Sequence, residues 1–191
     1  MKITLLRHSE VDEAYHNCYN GHIDIGLSKR GEEQANFLAK EFKNHSFDYI
    51  YCSDLLRTRA TLSPFTQASQ AIYSEKLREK SWGKHEGMTF DTIISEGEIE
   101  YKNFLQWIKA LDGEEYEVYI ERVKEFFLEF LTTQKAENIL VVTHAGIIRV
   151  LISLVKDISL KEAFSIDVSY GGYLVLDTKS MSFSEVKYKL S

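Results

Sequence analysis

Short apolar runs alternate along this chain with longer stretches of helical period. Ile3 to Leu6 is apolar on both faces, as is Asn138 to Thr143 (NILVVT), and each is too short for a helix. Such runs suit strands buried in a parallel sheet. Tyr49 to Cys52 and Ala71 to Tyr73 read as two further strands. Between them, Ser28 is a plausible N-cap for an amphipathic helix reaching about Lys43, with Ala35, Leu38, Ala39 and Phe42 on one face. A second helix opens at Ser53-Asp54 and carries Arg57, and Pro64 predicts a kink or a helix start within residues 55–70. Glu75 to Glu100 is polar and glycine-bearing, a loop region with one short helix. Tyr101 to Leu111 and Glu114 to Gln134 read as helices, the latter with an aromatic stripe suited to a core, and Ile147 to Val155 as an apolar helix. Tyr170 to Leu176 and Met181 to Tyr188 form an edge hairpin. The whole predicts an α/β fold: a three-layer sandwich with a mostly parallel central sheet, helices on both faces and an antiparallel edge hairpin. Residues 1–191 read as one domain, with a cap or insertion around 75–118.

Three of these strands end in polar residues: Arg7-His8, Ser53-Asp54 followed by Arg57, and His144-Ala145-Gly146. Ligands of open α/β sheets sit beyond the carboxyl ends of the strands, so two arginines and two histidines can converge there. A lone Arg-His pair at a strand end does no more than solvate it, and a lone histidine after a buried strand is as often core as site. Together the four make an oxyanion clamp, since arginine offers a planar fork of donors and neutral imidazole is a nucleophile near neutral pH. No carboxylate cluster or Cys/His set accompanies them, so neither a metal nor a cofactor is implied.

Composition narrows the partners. At 44% hydrophobic and 27% charged, the 191 residues are ordinary for a globular protein. The net charge of -6 argues against a nucleic-acid or membrane-surface binder and asks for locally concentrated positive charge at any phosphate site. Cys18 and Cys52 have no metal-ligand spacing and read as reduced thiols. No apolar run suits a signal peptide or a transmembrane helix, so the expected location is the cytoplasm. The oligomeric state stays open, a homodimer being one option.

Five motifs in order resemble the histidine phosphatase superfamily, also called phosphoglycerate-mutase-like: LLRHSE at 5–10, NGHIDIGLSKRGEEQA at 20–35, CSDLLRTRAT at 52–61, LREKSWGKHEG at 77–87 and VVTHAGIIR at 141–149. Within it the chain looks most like the alpha-ribazole phosphatases. The resemblance implies that His8 becomes a phosphohistidine, that Arg7, Arg57 and His144 hold the phosphoryl oxygens, and that Glu79 protonates the leaving oxygen and later activates water. It places Asn20 and Gly21 on the substrate loop and adds the Ala145 N–H as a donor. The family's usual RHG is RHS here, with Ser9. Ala14 stands where the family has an asparagine, which leaves Asn17 as the candidate donor, and Val11 replaces a threonine. His85 and Glu86 read as surface or mouth residues. The resemblance implies a metal-independent phosphomonoesterase for a small phosphate ester, with alpha-ribazole 5′-phosphate as the leading substrate. A phosphoglycerate-type mutase or broad-specificity phosphatase shares the same centre, and a catalytically silent binding module would keep only the fold.

Overall fold

The computed structural model describes residues 1–97 and 99–186. Strands β1 (Lys2–Arg7), β2 (Tyr49–Ser53), β3 (Ala71–Ser74) and β4 (Asn138–Thr143) are parallel, and β5 (Tyr173–Asp177) and β6 (Ser182–Val186) run antiparallel at one edge, in the order β3-β2-β4-β1-β5-β6. The expected end of the last strand, at Tyr188, lies outside the described residues.

Side chains alternate across this sheet and divide the core in two. On one face Ile3, Leu5, Tyr51, Ile139 and Val141 meet helices α4 (Phe104–Ala110), α5 (Tyr116–Lys124) and α6 (Ala145–Lys156). On the other, Leu6, Ile50, Cys52, Leu140 and Val142 meet α1 (Lys29–Glu41) and α2 (Leu56–Leu62). The three layers predicted from the alternating runs are present. Register then places the site: Arg7 pairs with Thr143 and Cys52 with Val142, so the chain leaves β1, β2 and β4 at one level.

Several boundaries differ from expectation for local reasons. Pro64 neither kinks nor starts a helix; α2 ends at Leu62, before the proline, which has no N–H with which to continue the helical ladder. Tyr101 to Lys102 precede the helix, whose N-cap is Asn103, with its side chain accepting from the Gln106 N–H. The long helix from Tyr116 continues as a π segment over Glu125–Phe130, in which Phe126 and Phe127 are both buried. Within the loop region 75–100 the expected short helix is α3 (Phe90–Ser95). Tyr170 to Gly172 form a turn before β5. The short helix α7 (Leu160–Phe164) was not anticipated, although Ser159 and Glu162 form a full capping box at its start.

Ser28 is the N-cap of α1: its hydroxyl accepts from the Gly31 N–H at 2.9 Å and donates to Glu10 at 2.7 Å. Ser28→Ala removes both bonds and should destabilise the protein by about 0.5–2 kcal/mol. A urea-unfolding midpoint unchanged from the wild type would refute this account of the helix start.

Candidate active site

At the carboxyl end of the sheet lies a cavity of about 280 Å³, lined among others by Arg7, His8, Asn20, Glu79 and Ala145. His8 is buried, and its Nδ1 lies 2.8 Å from the Ser9 carbonyl oxygen. A carbonyl can only accept, so Nδ1 carries the proton and Nε2 keeps its lone pair. Burial, then the charges of Arg57 and Arg7, hold the His8 pKa well below the usual histidine value. The ring is therefore a neutral imidazole with a free basic nitrogen.

The second histidine has the opposite tautomer. His144 Nδ1 accepts from Arg57 Nε at 3.3 Å, so Nε2 donates to the Ser53 hydroxyl at 2.9 Å. Burial first, then Arg57, also keeps His144 neutral. The two rings lie 5.2 Å apart. Ser53, at the end of β2, thus orients a ring at the end of β4, a role sequence reading did not assign to it.

Arg57 is 1% exposed and makes no bond to a carboxylate. Its guanidinium donates to the carbonyls of Asn20 (3.2 Å), Gly21 (2.7 Å) and Ile23 (2.9 Å), and burial pushes its pKa down to about 10. The same loop is gripped from its amide side. Glu86 accepts from the N–H groups of Gly21 (2.8 Å), His22 (2.8 Å) and Ile23 (3.2 Å), and from Trp82 N–H at 2.9 Å. One carboxylate thus polarises peptide groups whose carbonyls face the buried cation. Gly21 permits this fit, since a Cβ there would lie 2.5 Å from Glu86 Oε1 and 2.8 Å from the Trp82 ring. Glu86, expected at the surface or mouth, is instead the centre of the loop. His85 is buried and accepts from the Asp112 N–H at 3.0 Å.

Arg7 donates to the Val168 carbonyl at 2.5 Å and lies 3.9 Å over the Tyr170 ring, while its buried Nε has no partner. Glu79 faces the cavity from the polar stretch after β3. It accepts from Tyr119 OH (2.5 Å), Lys80 N–H (3.1 Å) and Gly146 N–H (2.8 Å). A carboxylate has about four lone-pair sites, so one stays open. Gly146 is needed for this approach, because a Cβ there would stand 2.7 Å from Tyr119 OH and closer still to Glu79.

Not every expected residue reaches the cavity. Asn17 is exposed in a left-handed turn at φ 59° and is not one of its walls. Asn20 is a wall, and its buried Oδ1 has no partner. Gly21 acts through its backbone alone. Ala14 is exposed, and Ser9 is buried with its hydroxyl unpartnered and its N–H bound to Thr61 at 2.8 Å. The remaining walls, which sequence reading left without a role, include Tyr119, Tyr170, Lys80 and Arg149. They come from separate segments with no shared period, though Arg149 stood within the VVTHAGIIR motif. Among the described residues no group of three or more His, Cys, Asp or Glu could hold a metal, and no helix is long and apolar enough to cross a membrane.

The chain belongs to the histidine phosphatase superfamily (branch 1), whose family model matches residues 3–190. It is a phosphatase of that type, with phosphatases and mutases among its relatives. It is 29% identical to the adenosylcobalamin/alpha-ribazole phosphatase of Escherichia coli, over 93% of this chain and 90% of that one. It is 30% identical to the 2,3-bisphosphoglycerate-dependent phosphoglycerate mutase of Buchnera aphidicola, over 92% and 93%. That alignment runs to 214 positions, more than the 191 residues of this whole chain, so the mutase carries residues this chain lacks. The crystal structure of alpha-ribazole phosphatase from Shigella flexneri superposes with a TM-score of 0.81 at 25% identity, covering 97% of this chain and 95% of that one.

Two predictions follow from the buried charges. Both His8 and His144 have folded pKa values below the unfolded 6.5, so the unfolded chain binds more protons as pH falls through that value. Their contribution is complete above pH 6.5 and is lost as pH drops towards the folded values. Melting temperature should fall on acidification below 6.5, and less steeply in the variant His8→Gln; parallel curves would reject the assignment. The second concerns Glu86. Glu86→Gln places an amide NH₂ against backbone donors, so it should weaken inorganic phosphate binding as well as lower the melting temperature. Phosphate affinity equal to that of the wild type would uncouple Glu86 from the Arg57 end of the site.

Proposed function

We propose that the chain is a metal-independent phosphomonoesterase that works through a phosphohistidine on His8. The observation carrying this reading is the His8 tautomer, a neutral ring with its basic Nε2 free at a cavity bordered by arginines. Nε2 attacks phosphorus while the ester P–O bond breaks, and the leaving alkoxide takes a proton from Glu79. Arg7, Arg57 and His144 stabilise the phosphoryl oxygens as charge shifts onto them, with the Ala145 N–H as a further donor. Glu79 then takes a proton from water, whose oxygen attacks phosphorus as the N–P bond breaks. Inorganic phosphate leaves and His8 returns to the neutral form.

Arginines neutralise the phosphoryl charge in this scheme, so a chelator should leave turnover unchanged. By likeness to its relatives the leading substrate is alpha-ribazole 5′-phosphate, whose aromatic base suits walls built by Tyr19, Trp82, Phe104, Tyr116 and Phe164. A mutase uses the same centre but must retain the phosphoryl group. The mutase's additional residues within the aligned region, which this chain lacks, favour hydrolysis here, and product analysis with 3-phosphoglycerate separates the two outcomes.

Rapid quenching should trap acid-labile, base-stable phosphate on the wild type and none on His8→Ala. Trapping at full yield on His8→Ala would remove the nucleophile. Glu79→Gln should cut hydrolysis of alkyl phosphates by about 10²–10⁴. It should slow phosphoenzyme formation from p-nitrophenyl phosphate much less, because nitrophenolate departs without a proton. Equal losses on both esters in pre-steady-state traces would assign Glu79 to positioning.

A further inference from the structure

Two cations in the cavity wall take no part in that scheme, Lys80 and Arg149. They are not equivalent. Lys80 is 1% exposed, and its ammonium donates to the carbonyls of Ser81 (3.0 Å) and Asp112 (3.4 Å) and lies 4.3 Å from the Trp82 ring centroid. Its charge ties the loop at 80–86 to the turn at Asp112. Arg149 lies one helical turn beyond Ala145 on α6, and both line the cavity. Its Nε donates to the Ile166 carbonyl at 3.1 Å, and its guanidinium carbon lies 5.7 Å from the Phe164 ring centroid. These contacts fix the direction of the fork. Among the described residues the terminal nitrogens have no protein acceptor, and no carboxylate pairs with them.

The charge balance points the same way. Among the described residues, Arg7, Lys80 and Arg149 line the cavity, Arg57 is buried against His144, and Glu79 is the only carboxylate among the cavity walls. A phosphomonoester dianion matches Arg7 and Arg57, and Glu79, which carries a proton when it acts as the acid, offsets neither of the remaining two. The charge of Lys80 is tied to the Ser81 and Asp112 carbonyls, and the uncommitted fork is that of Arg149. An unpaired guanidinium oriented inside a concave site is suited to bidentate binding of a carboxylate or phosphate.

We propose that Arg149 binds a second anionic group on the leaving alcohol, so that among small esters the enzyme prefers those whose alcohol carries a carboxylate or another phosphate. The proposal rests on the phosphomonoesterase reading above. A short hydroxy acid is an alcohol of this kind that the cavity of about 280 Å³ accommodates. Alpha-ribazole 5′-phosphate has no second anion and gains nothing from this contact.

The test compares kcat/KM for three esters of similar size: 3-phosphoglycerate, propane-1,3-diol bisphosphate and glycerol 3-phosphate. In the wild type at least one dianion-plus-anion ester should exceed glycerol 3-phosphate by roughly tenfold or more, the size of a charge-assisted hydrogen bond. Which of the two does so identifies carboxylate or phosphate as the group bound. Arg149→Gln should collapse that ratio by roughly tenfold to a hundredfold, and Arg149→Lys, which keeps the charge but not the fork, should restore part of it. A wild-type ratio of one or less overturns the proposal without any variant, and so does a ratio that survives Arg149→Gln. Failure of the underlying reading looks different: no ester, the neutral one included, would release phosphate in a His8-dependent way.

Discussion

The structure depends on one buried charge with no direct counter-ion. Arg57 sits inside the protein on three carbonyl oxygens and one imidazole nitrogen. Burying a guanidinium costs several kcal/mol unless its surroundings compensate. Compensation comes through peptide dipoles: Glu86 holds the amide side of residues 21–23, and the carbonyl side of residues 20, 21 and 23 holds the cation. Carboxylate and guanidinium never touch, so the arginine is positioned without being neutralised by a contact ion pair. Most of its donors are taken by these carbonyls and the imidazole, so what it contributes is chiefly a positive charge that no contact carboxylate cancels. The loop between β1 and α1 is built around this arrangement, which gives its polar, glycine-bearing sequence a defined set of hydrogen-bond partners.

The same constraint sets the chemistry of both histidines. Each is buried beside a cation, so each is neutral, and a neutral imidazole has one donor and one acceptor. The partner of one nitrogen decides the task of the other. A backbone carbonyl takes the proton of His8 Nδ1 and leaves a nucleophilic lone pair; a serine hydroxyl takes the proton of His144 Nε2 and turns its Nδ1 towards Arg57. Two residues of one type, side by side, thus acquire different roles from one acceptor each.

How much of this was legible in the sequence follows from the range of each interaction. β4 was read to the residue, because a strand buried on both faces leaves an unbroken apolar run. Arg7, His8, Arg57 and His144 could be grouped because parallel strands put their carboxyl ends on one edge. Glu79 came only from its motif, since nothing in the polar stretch around it marks a carboxylate as buried against Tyr119 and Gly146. Asn17 illustrates the opposite failure: three residues beyond Ala14 is close in sequence, but a left-handed turn leaves its side chain in solvent. Glu86 and Ser53 were missed because their partners lie 65 and 91 residues away. Periodicity carries no information at that range.

The two ends of the cavity are built from different kinds of structure. The end where the proposed mechanism puts the phosphoryl group uses Arg7 and His8 from the end of β1, Glu79, Ala145 and Gly146 in the first turn of α6, and Asn20 of the loop clamped by Glu86, with Arg57 and His144 buried and not among the walls. His8, Glu79 and the loop at that end are each held by hydrogen bonds, as a reaction centre requires. The other end, where the proposed mechanism puts the leaving group, uses Phe104, Ile108, Tyr116, Phe164 and Arg149, drawn from α4, α5, α7 and α6. These contacts are mostly apolar and impose shape more than direction, Arg149 being the exception. Substitutions there can alter which alcohol is accepted without moving His8 or Arg57. Under the proposed mechanism, the presence of both phosphatases and a mutase among the relatives of this chain fits that division.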